Sequence, residues 1–240
     1  MLFIFILLAI GLILFFLNSN KKQQDKKPDS PAKNQQKPSK TVQQKTATKP
    51  KSLEVIKGEE GEQEFIQHYE RTFSQPYILL NHCTFEDGLG GTTQIDHIIL
   101  SPFGIFVVEC KNYSGWIFGE ERQKTWTQRL PNKSYQFQNP LHQNYKHIKV
   151  LEQILQDLID PQILYPLVVF TEKSELKTDM PDNVLQGQAW AAYVKKYRQV
   201  VLHEHKLKKI HHCLQTERLP VCAETDERHI RYLQSKKVAS

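Results

Sequence analysis

Residues 94–115 read QIDHIILSPFGIFVVECKNYSG, two apolar runs joined by Ser101, Pro102, Phe103 and Gly104. Proline at the second and glycine at the fourth position suit a tight turn, so the runs form an antiparallel hairpin. Counting outward from the turn pairs Leu100 with Ile105, Ile98 with Val107 and Asp96 with Glu109. Directly opposed residues hold their Cβ atoms about 4.5–5.5 Å apart, so two carboxylates meet across the ladder. Side chains alternate along a strand, which sends Lys111 to the face of Glu109. Two acids and an amine thus converge within strongly strand-forming sequence, where an unpaired buried charge is costly. Two readings fit this pattern. One is a hard divalent cation held by carboxylate oxygens, with a lysine beside it. The other is an Asp, Lys and Glu network on a solvated sheet face.

On the N-terminal side, KGEEGEQEFIQHYERTF (57–73) places Glu59, Glu62, Ile66, Tyr69 and Phe73 at helical intervals, which puts a carboxylate on the core-facing side of a helix. Acids also suit a helix N-terminus through the dipole. A strand over 77–80 and a polar, glycine-rich loop over 86–93 lead into the hairpin. Beyond it, 132–138 reads as a loop. Asn139 then caps a helix with Pro140 at its first position. That helix has Gln143 near its entry and an apolar stripe of Leu141, Tyr145, Ile148, Leu151 or Glu152, and Leu155. PLVVFT (166–171) is a strand buried on both faces. Helices are expected over 188–197 and 206–215. The interleaving of strands and helices predicts an α/β fold, a mixed sheet covered by helices.

The chain of 240 residues has a net charge of +6, but residues 18–52 alone carry ten lysines against Asp25 and Asp29, a net of +8 that leaves −2 for the remainder. The high charge therefore belongs to a tail, and does not mark the folded part as a basic nucleic-acid binder. Residues 18–52, rich in Lys, Gln and Pro, lack the apolar content to fold and are read as a disordered linker whose lysines also suit contact with anionic lipid. Residues 1–17 are read as a transmembrane anchor. The segment is slightly short of the roughly 20 residues that span a bilayer. It has no basic n-region and no small-residue cleavage site, which argues against a cleaved signal. Lysines on its C-terminal side place the body in the cytoplasm, anchored to the inner membrane by a single pass. Residues 53–240 form the folded domain, ending in a helical extension.

Other constellations carry less. The four cysteines contain no CxxC and read as free thiols. His211, His212, Cys213, Cys222 and His229 match no common zinc spacing. Gly88, Gly90 and Gly91 lack a Walker lysine or dinucleotide fingerprint. Trp116, Phe118 and Trp126 read as packing rather than as a base-stacking platform.

Asp96 followed by Glu109-Cys110-Lys111 resembles the D…(E/D)xK core of the restriction-endonuclease-like nucleases. The surroundings are more narrowly similar to the nuclease-related domain, NERD. The matching pieces are Gly58-Glu59-Glu60-Gly61-Glu62, Gln94-Ile95-Asp96-His97, the run from Ser101 to Gly115, and Gln138-Asn139-Pro140-Leu141-His142-Gln143. The likeness covers residues 56–155 well and continues more loosely beyond. It implies a restriction-endonuclease-like mixed β-sheet flanked by helices, and a phosphodiesterase site using Mg²⁺ or Mn²⁺. By position, Asp96 and Glu109 would be metal ligands and Glu62 would complete the site. Lys111 would activate water or steady charge, and Gln143 would contact substrate or water. The expected activity is hydrolysis of phosphodiester bonds of DNA, or of RNA. The alternative is a catalytically inactive, membrane-tethered nucleic-acid-binding or scaffold module of the same fold.

Overall fold

The computed structural model describes residues 53–239, so the expected anchor and linker lie outside the described residues. Among the described residues no helix is long and apolar enough to cross a membrane. The chain opens with α1 (Leu53–Thr72) and continues through β1 (Ile78–Glu86), β2 (Thr92–Ser101) and β3 (Gly104–Lys111). Three further strands follow, β4 (Gly115–Phe118), β5 (Thr125–Leu130) and β6 (Lys133–Gln138), and then α2 (Pro140–Ile154). The remainder is β7 (Leu164–Phe170), β8 (Ser174–Leu176), β9 (Val184–Gln186), α3 (Ala189–Lys196), α4 (Glu204–Glu217) and α5 (Ala223–Ala239).

The strands make two mixed sheets, β1-β2-β3-β7-β9 and β6-β5-β4-β8. The first three strands are antiparallel, while β7 and β9 run parallel to β3. A parallel return needs a long crossover. Here β4, β5, β6 and α2 fill it. The hairpin has the expected register, with Ile98 opposite Val107 and Leu100 opposite Ile105. Its two sides feed different cores. Ile98, Leu100, Ile105 and Val107 pack with Leu151 of α2 and Ile210 of α4. Ile99, Phe106 and Val108 pack with Phe65 of α1 and Trp190 of α3. β3 is thereby covered on both faces, which explains its nearly continuous apolar run.

The expectation of a single sheet needs correction. Residues 132–138, read as a loop, contain β6, which pairs with β5 from Leu130–Lys133 to Thr125–Gln138. Its sequence, KSYQFQ, is almost wholly exposed, so the apolar alternation that marks a strand is missing. β1 also continues well past residue 80. Two helical stripes shift as well. Phe65 is in the α1 core while Ile66 is only partly buried, and on α2 Tyr145 is exposed while Asn144 and His147 are buried. The polar pair is tolerated inside because both side chains have hydrogen-bond partners.

α5 clasps the β1–β2 loop. Arg228 donates to both oxygens of Glu86, His229 Nδ1 lies 2.9 Å from Thr92 Oγ1, and the Tyr232 hydroxyl donates to Asp87. Gly91 leaves room for the Tyr232 ring, which would overlap any side chain there.

Candidate functional site

Asp96, Glu109 and Lys111 share the strand parity of Ile98, Ile105 and Val107, so they leave the sheet on the side that α2 covers. Regular pairing of β2 with β3 ends at His97 and Val108. Beyond it the Asp96 carboxylate takes over, its Oδ2 accepting from the Cys110 backbone N–H at 2.7 Å. The two acids therefore stand at the open end of the hairpin.

α2 supplies the roof, and two asparagines fix it. Asn139, fully buried, accepts from Leu141 N with Oδ1 and donates through Nδ2 to the carbonyls of Glu121 and Gln123. This joins the helix start to the β4–β5 loop. Asn144 Nδ2 donates to Val107 O at 2.8 Å and Leu167 O at 3.0 Å. Pro166, which lies opposite Val107, has no N–H to offer, and Asn144 brings a donor to this place in the ladder. With α2 so fixed, Gln143 and His147 face β3. Lys111 Nζ sits between Glu109 Oε1 at 2.5 Å and Gln143 Oε1 at 3.1 Å. His147 Nε2 lies 3.0 Å from Glu109 Oε2, and His147 Nδ1 lies 2.7 Å from Thr93 Oγ1. A carboxylate can only accept, so His147 donates from Nε2 to Glu109.

Glu62 enters from α1. Gly61 lets the helix approach closely, since a Cβ there would stand 2.6 Å from Asn112 Cβ. Glu62 Oε2 is 3.0 Å from His82 Nδ1, yet it is buried and has no properly aligned hydrogen bond. His82 has φ +49, a left-handed conformation rare for a residue within a strand, and its register sets it opposite Asp96.

The charges are unequal in their surroundings. Burial, together with Glu109 and Glu59, pushes Glu62 up to about 7, against the pull of Lys111. Burial, then Glu109 and Glu62, raises Asp96 well above the usual carboxylate range. Burial alone would raise Glu109 too, but Lys111 and His147 hold it below its ordinary value. Burial works against the Lys111 charge, and Glu109 and Asp96 overcome it, so the amine stays protonated more firmly than an ordinary lysine. Three acids thus face one fixed cation, with one carboxylate oxygen left unsatisfied. Oxygen donors of this kind suit Mg²⁺ or Mn²⁺, and an added cation would relieve the repulsion that raises Asp96 and Glu62. As the side chains stand, no three His, Cys, Asp or Glu groups among the described residues enclose a common point.

All five residues singled out from the sequence, Glu62, Asp96, Glu109, Lys111 and Gln143, are thus brought into one region. Reading the sequence missed His147, Thr93 and His82. His147 lies four residues after Gln143, one helical turn along the same face, and that spacing was the available signal. Nothing in the sequence marks the backbone of His82. The cysteine and histidine group weighed for zinc is occupied otherwise, with Cys213 Sγ donating to Ile154 O and His229 bonded to Thr92. All four cysteines are free. Of the aromatic residues read as packing, Trp126 is buried, whereas Trp116 is 46% exposed.

An uncharacterized protein of Bacillus anthracis is 34% identical over 184 residues, covering 75% of this chain and 85% of that one. No solved structure matches. The family model of the Nuclease-related domain, NERD, matches residues 57–171, a span that runs from the helix of Glu62 past the end of β7 and takes in the whole cluster around Lys111. The chain belongs to the nuclease-related domain family.

Proposed function

We propose that this protein is a divalent-metal-dependent nuclease that hydrolyses phosphodiester bonds of DNA, on a restriction-endonuclease-like version of the α/β fold. One observation carries the reading: three carboxylates from three elements face a single fixed lysine, and burial, with the mutual repulsion of the acids, holds two of them above their ordinary range. Asp96 and Glu109 would hold Mg²⁺ or Mn²⁺, with Glu62 completing the set. Bound there, the ion supplies positive charge to the phosphate under attack. Lys111, kept protonated by Glu109 and Asp96, steadies charge that develops on the phosphoryl oxygens and does not serve as the proton acceptor. Gln143 aims the lysine, and His147 holds the second oxygen of Glu109 in place. The net reaction adds water across the P–O bond, leaving a phosphomonoester and a free hydroxyl.

We further propose that residues 1–17 anchor the protein in the inner membrane with the domain in the cytoplasm, a reading supported by the lysines that follow the apolar segment. A reporter fused after Ser240 should be active only as a cytoplasmic fusion.

The decisive experiment incubates the purified full chain with plasmid DNA, with and without Mg²⁺ or Mn²⁺. Cleavage should require the ion and vanish in Asp96→Asn and Glu109→Gln, and calorimetry should show metal binding lost in both. Lys111→Ala should keep metal binding while losing most of the rate. One observation favours a second reading, a non-catalytic nucleic-acid-binding or scaffold module: both oxygens of Glu109 are already occupied, by Lys111 and His147. An intact chain that binds no metal and cuts no DNA would establish it.

A further inference from the structure

We propose that the outer face of the β6-β5-β4-β8 sheet is the docking surface for the nucleic-acid strand presented to the Lys111 site. This rests on the nuclease reading and says where the substrate lies. Register divides the sheet cleanly. Ile117 and Trp126 turn inward and pack with Phe170 of β7. Trp116 pairs with Arg129, and Arg129 with Ser134; Phe118 pairs with Thr127, and Thr127 with Gln136. These side chains form the opposite face. Trp116 and Arg129 are both exposed. Glu175 of β8 lies beside Trp116 and pairs with Lys177, whose Nζ is 5.1 Å from the centre of the Trp116 ring, so this pair adds no net charge to the face.

Charge identifies the occupant. Residues 115–138 contain Arg122, Lys124, Arg129 and Lys133 against Glu120 and Glu121, a net of +2 in a folded body whose net is −2. None of those four cations makes an ion pair with another described residue, whereas Lys149, Lys208 and Arg228 elsewhere on the surface each have an acidic partner. Arg129 on this face, with Arg122 and Lys124 in the β4–β5 loop and Lys133 at the hairpin tip, where its partner Leu130 gives it the parity of the inner face, supplies unpaired cations beside an exposed indole; with Ser, Thr and Gln these fit a phosphate backbone and the face of a base.

Position ties the surface to the site. β4 begins four residues after Lys111, and Gln128 Nε2 donates to Ser114 O at 2.8 Å. Tyr113 packs on Phe137 with ring centres 4.6 Å apart. The β5–β6 hairpin is therefore held rigidly beside the end of β3. Gln128 and Phe137 make these contacts from the inner face, with Ile117 and Trp126, so a strand with a phosphate at Lys111 would pass around the edge of this sheet to reach Arg129 and Trp116.

The test uses the detergent-solubilised full chain in EDTA, so that binding is read without cleavage, and single-stranded and duplex oligonucleotides as probes. Trp126 and Trp190 are buried and Trp116 is exposed, so acrylamide quenching of tryptophan fluorescence reports chiefly on Trp116. Saturating oligonucleotide should shield Trp116 and flatten the quenching slope. In Arg129→Glu/Lys133→Glu the shielding should disappear, and the slope of log affinity against log salt should become shallower by about 2. Asp96→Asn should bind and shield like the parent. The lysines of residues 18–52 contribute the same background to every variant. Unchanged quenching at saturation, or a double variant that binds and shields normally, overturns the docking surface. If shielding depends on Arg129 and Lys133 but no metal ever yields cleavage, the docking surface stands and the nuclease reading falls. If cleavage proceeds normally in the double variant, the reverse holds. Preference for the single strand or the duplex shows which form lies on the face.

Discussion

The two sheets treat charge in opposite ways. In the five-stranded sheet the charged groups sit at the end of strands buried on both faces, and most of their polar atoms are tied to a named partner. In the four-stranded sheet one face packs through Ile117 and Trp126, and Arg122, Lys124, Arg129 and Lys133 reach solvent without an ion pair among the described residues, while Lys177 pairs with Glu175. Burial raises the proton affinity of Asp96, while charged partners overcome burial at Glu109 and Lys111; Arg129 and Lys133 stand exposed. The two kinds of surface are joined by residues 111–115.

The sharpest way to break this contrast is through the tryptophans and the buried acids. Trp126 is fully buried, is stacked on Phe170 and donates to Glu120 O, so Trp126→Ala should cost about 3–5 kcal/mol in urea denaturation. Glu109→Gln should cost about 3 kcal/mol without metal, because it leaves a buried lysine without its counter-charge. Asp96→Asn should have the opposite sign. The fold raises the proton affinity of Asp96, so its ionised form weakens the native state above the ordinary carboxylate range, and asparagine keeps an acceptor for the Cys110 N–H. Equal signs for the two variants would mean that the acids are equivalent structural partners of Lys111.

A smaller effect concerns acid. Burial, aided by His82 and opposed by Glu109, pushes His97 down to about 3 from an ordinary 6.5. The unfolded chain then takes up a proton that the folded one refuses, so this group's contribution to stability is lost as pH falls from about 6.5 toward about 3. His97→Phe should remove up to about 1.4 kcal/mol per pH unit from that slope, read as the difference from the parent between pH 6 and 4. The smallest effect expected is that of Trp116→Ala, within about 0.5 kcal/mol, since a half-exposed ring supports little of the fold. A large cost there would make the outer face structural and weaken its assignment as a docking surface.

How legible these features were depends on burial. The hairpin register could be read because both strands are apolar and the turn is marked by Pro102 and Gly104. The α2 start could be read because Asn139 and Pro140 are a local signal. β6 could not, since an exposed strand is held by its backbone ladder and carries no apolar period. His147 and Asn144 lay hidden in an apolar helix face, where buried polar residues are legitimate only once their partners are known. Tyr145 was assigned inward for the same reason, its ring fitting the helical period although the wall of α2 it occupies faces water. The lysine contact with Gln143 joins residues 32 positions apart, and only the packing of α2 on β3 creates it.

The clasp of α5 on the β1–β2 loop also has a consequence for time. His229 and Thr92 are 137 residues apart, so at roughly 5–20 residues per second a nascent chain exposes β2 many seconds before α5 exists to grip it. Thr92 adjoins Thr93, which holds His147 and through it Glu109. Both sheets can therefore form on the ribosome while the residue that orients the central carboxylate is still loosely mounted. A chain stopped before Ala223 should show native strand content by circular dichroism but faster hydrogen exchange at Thr92 and Thr93, and identical exchange in the two chains would remove this timing.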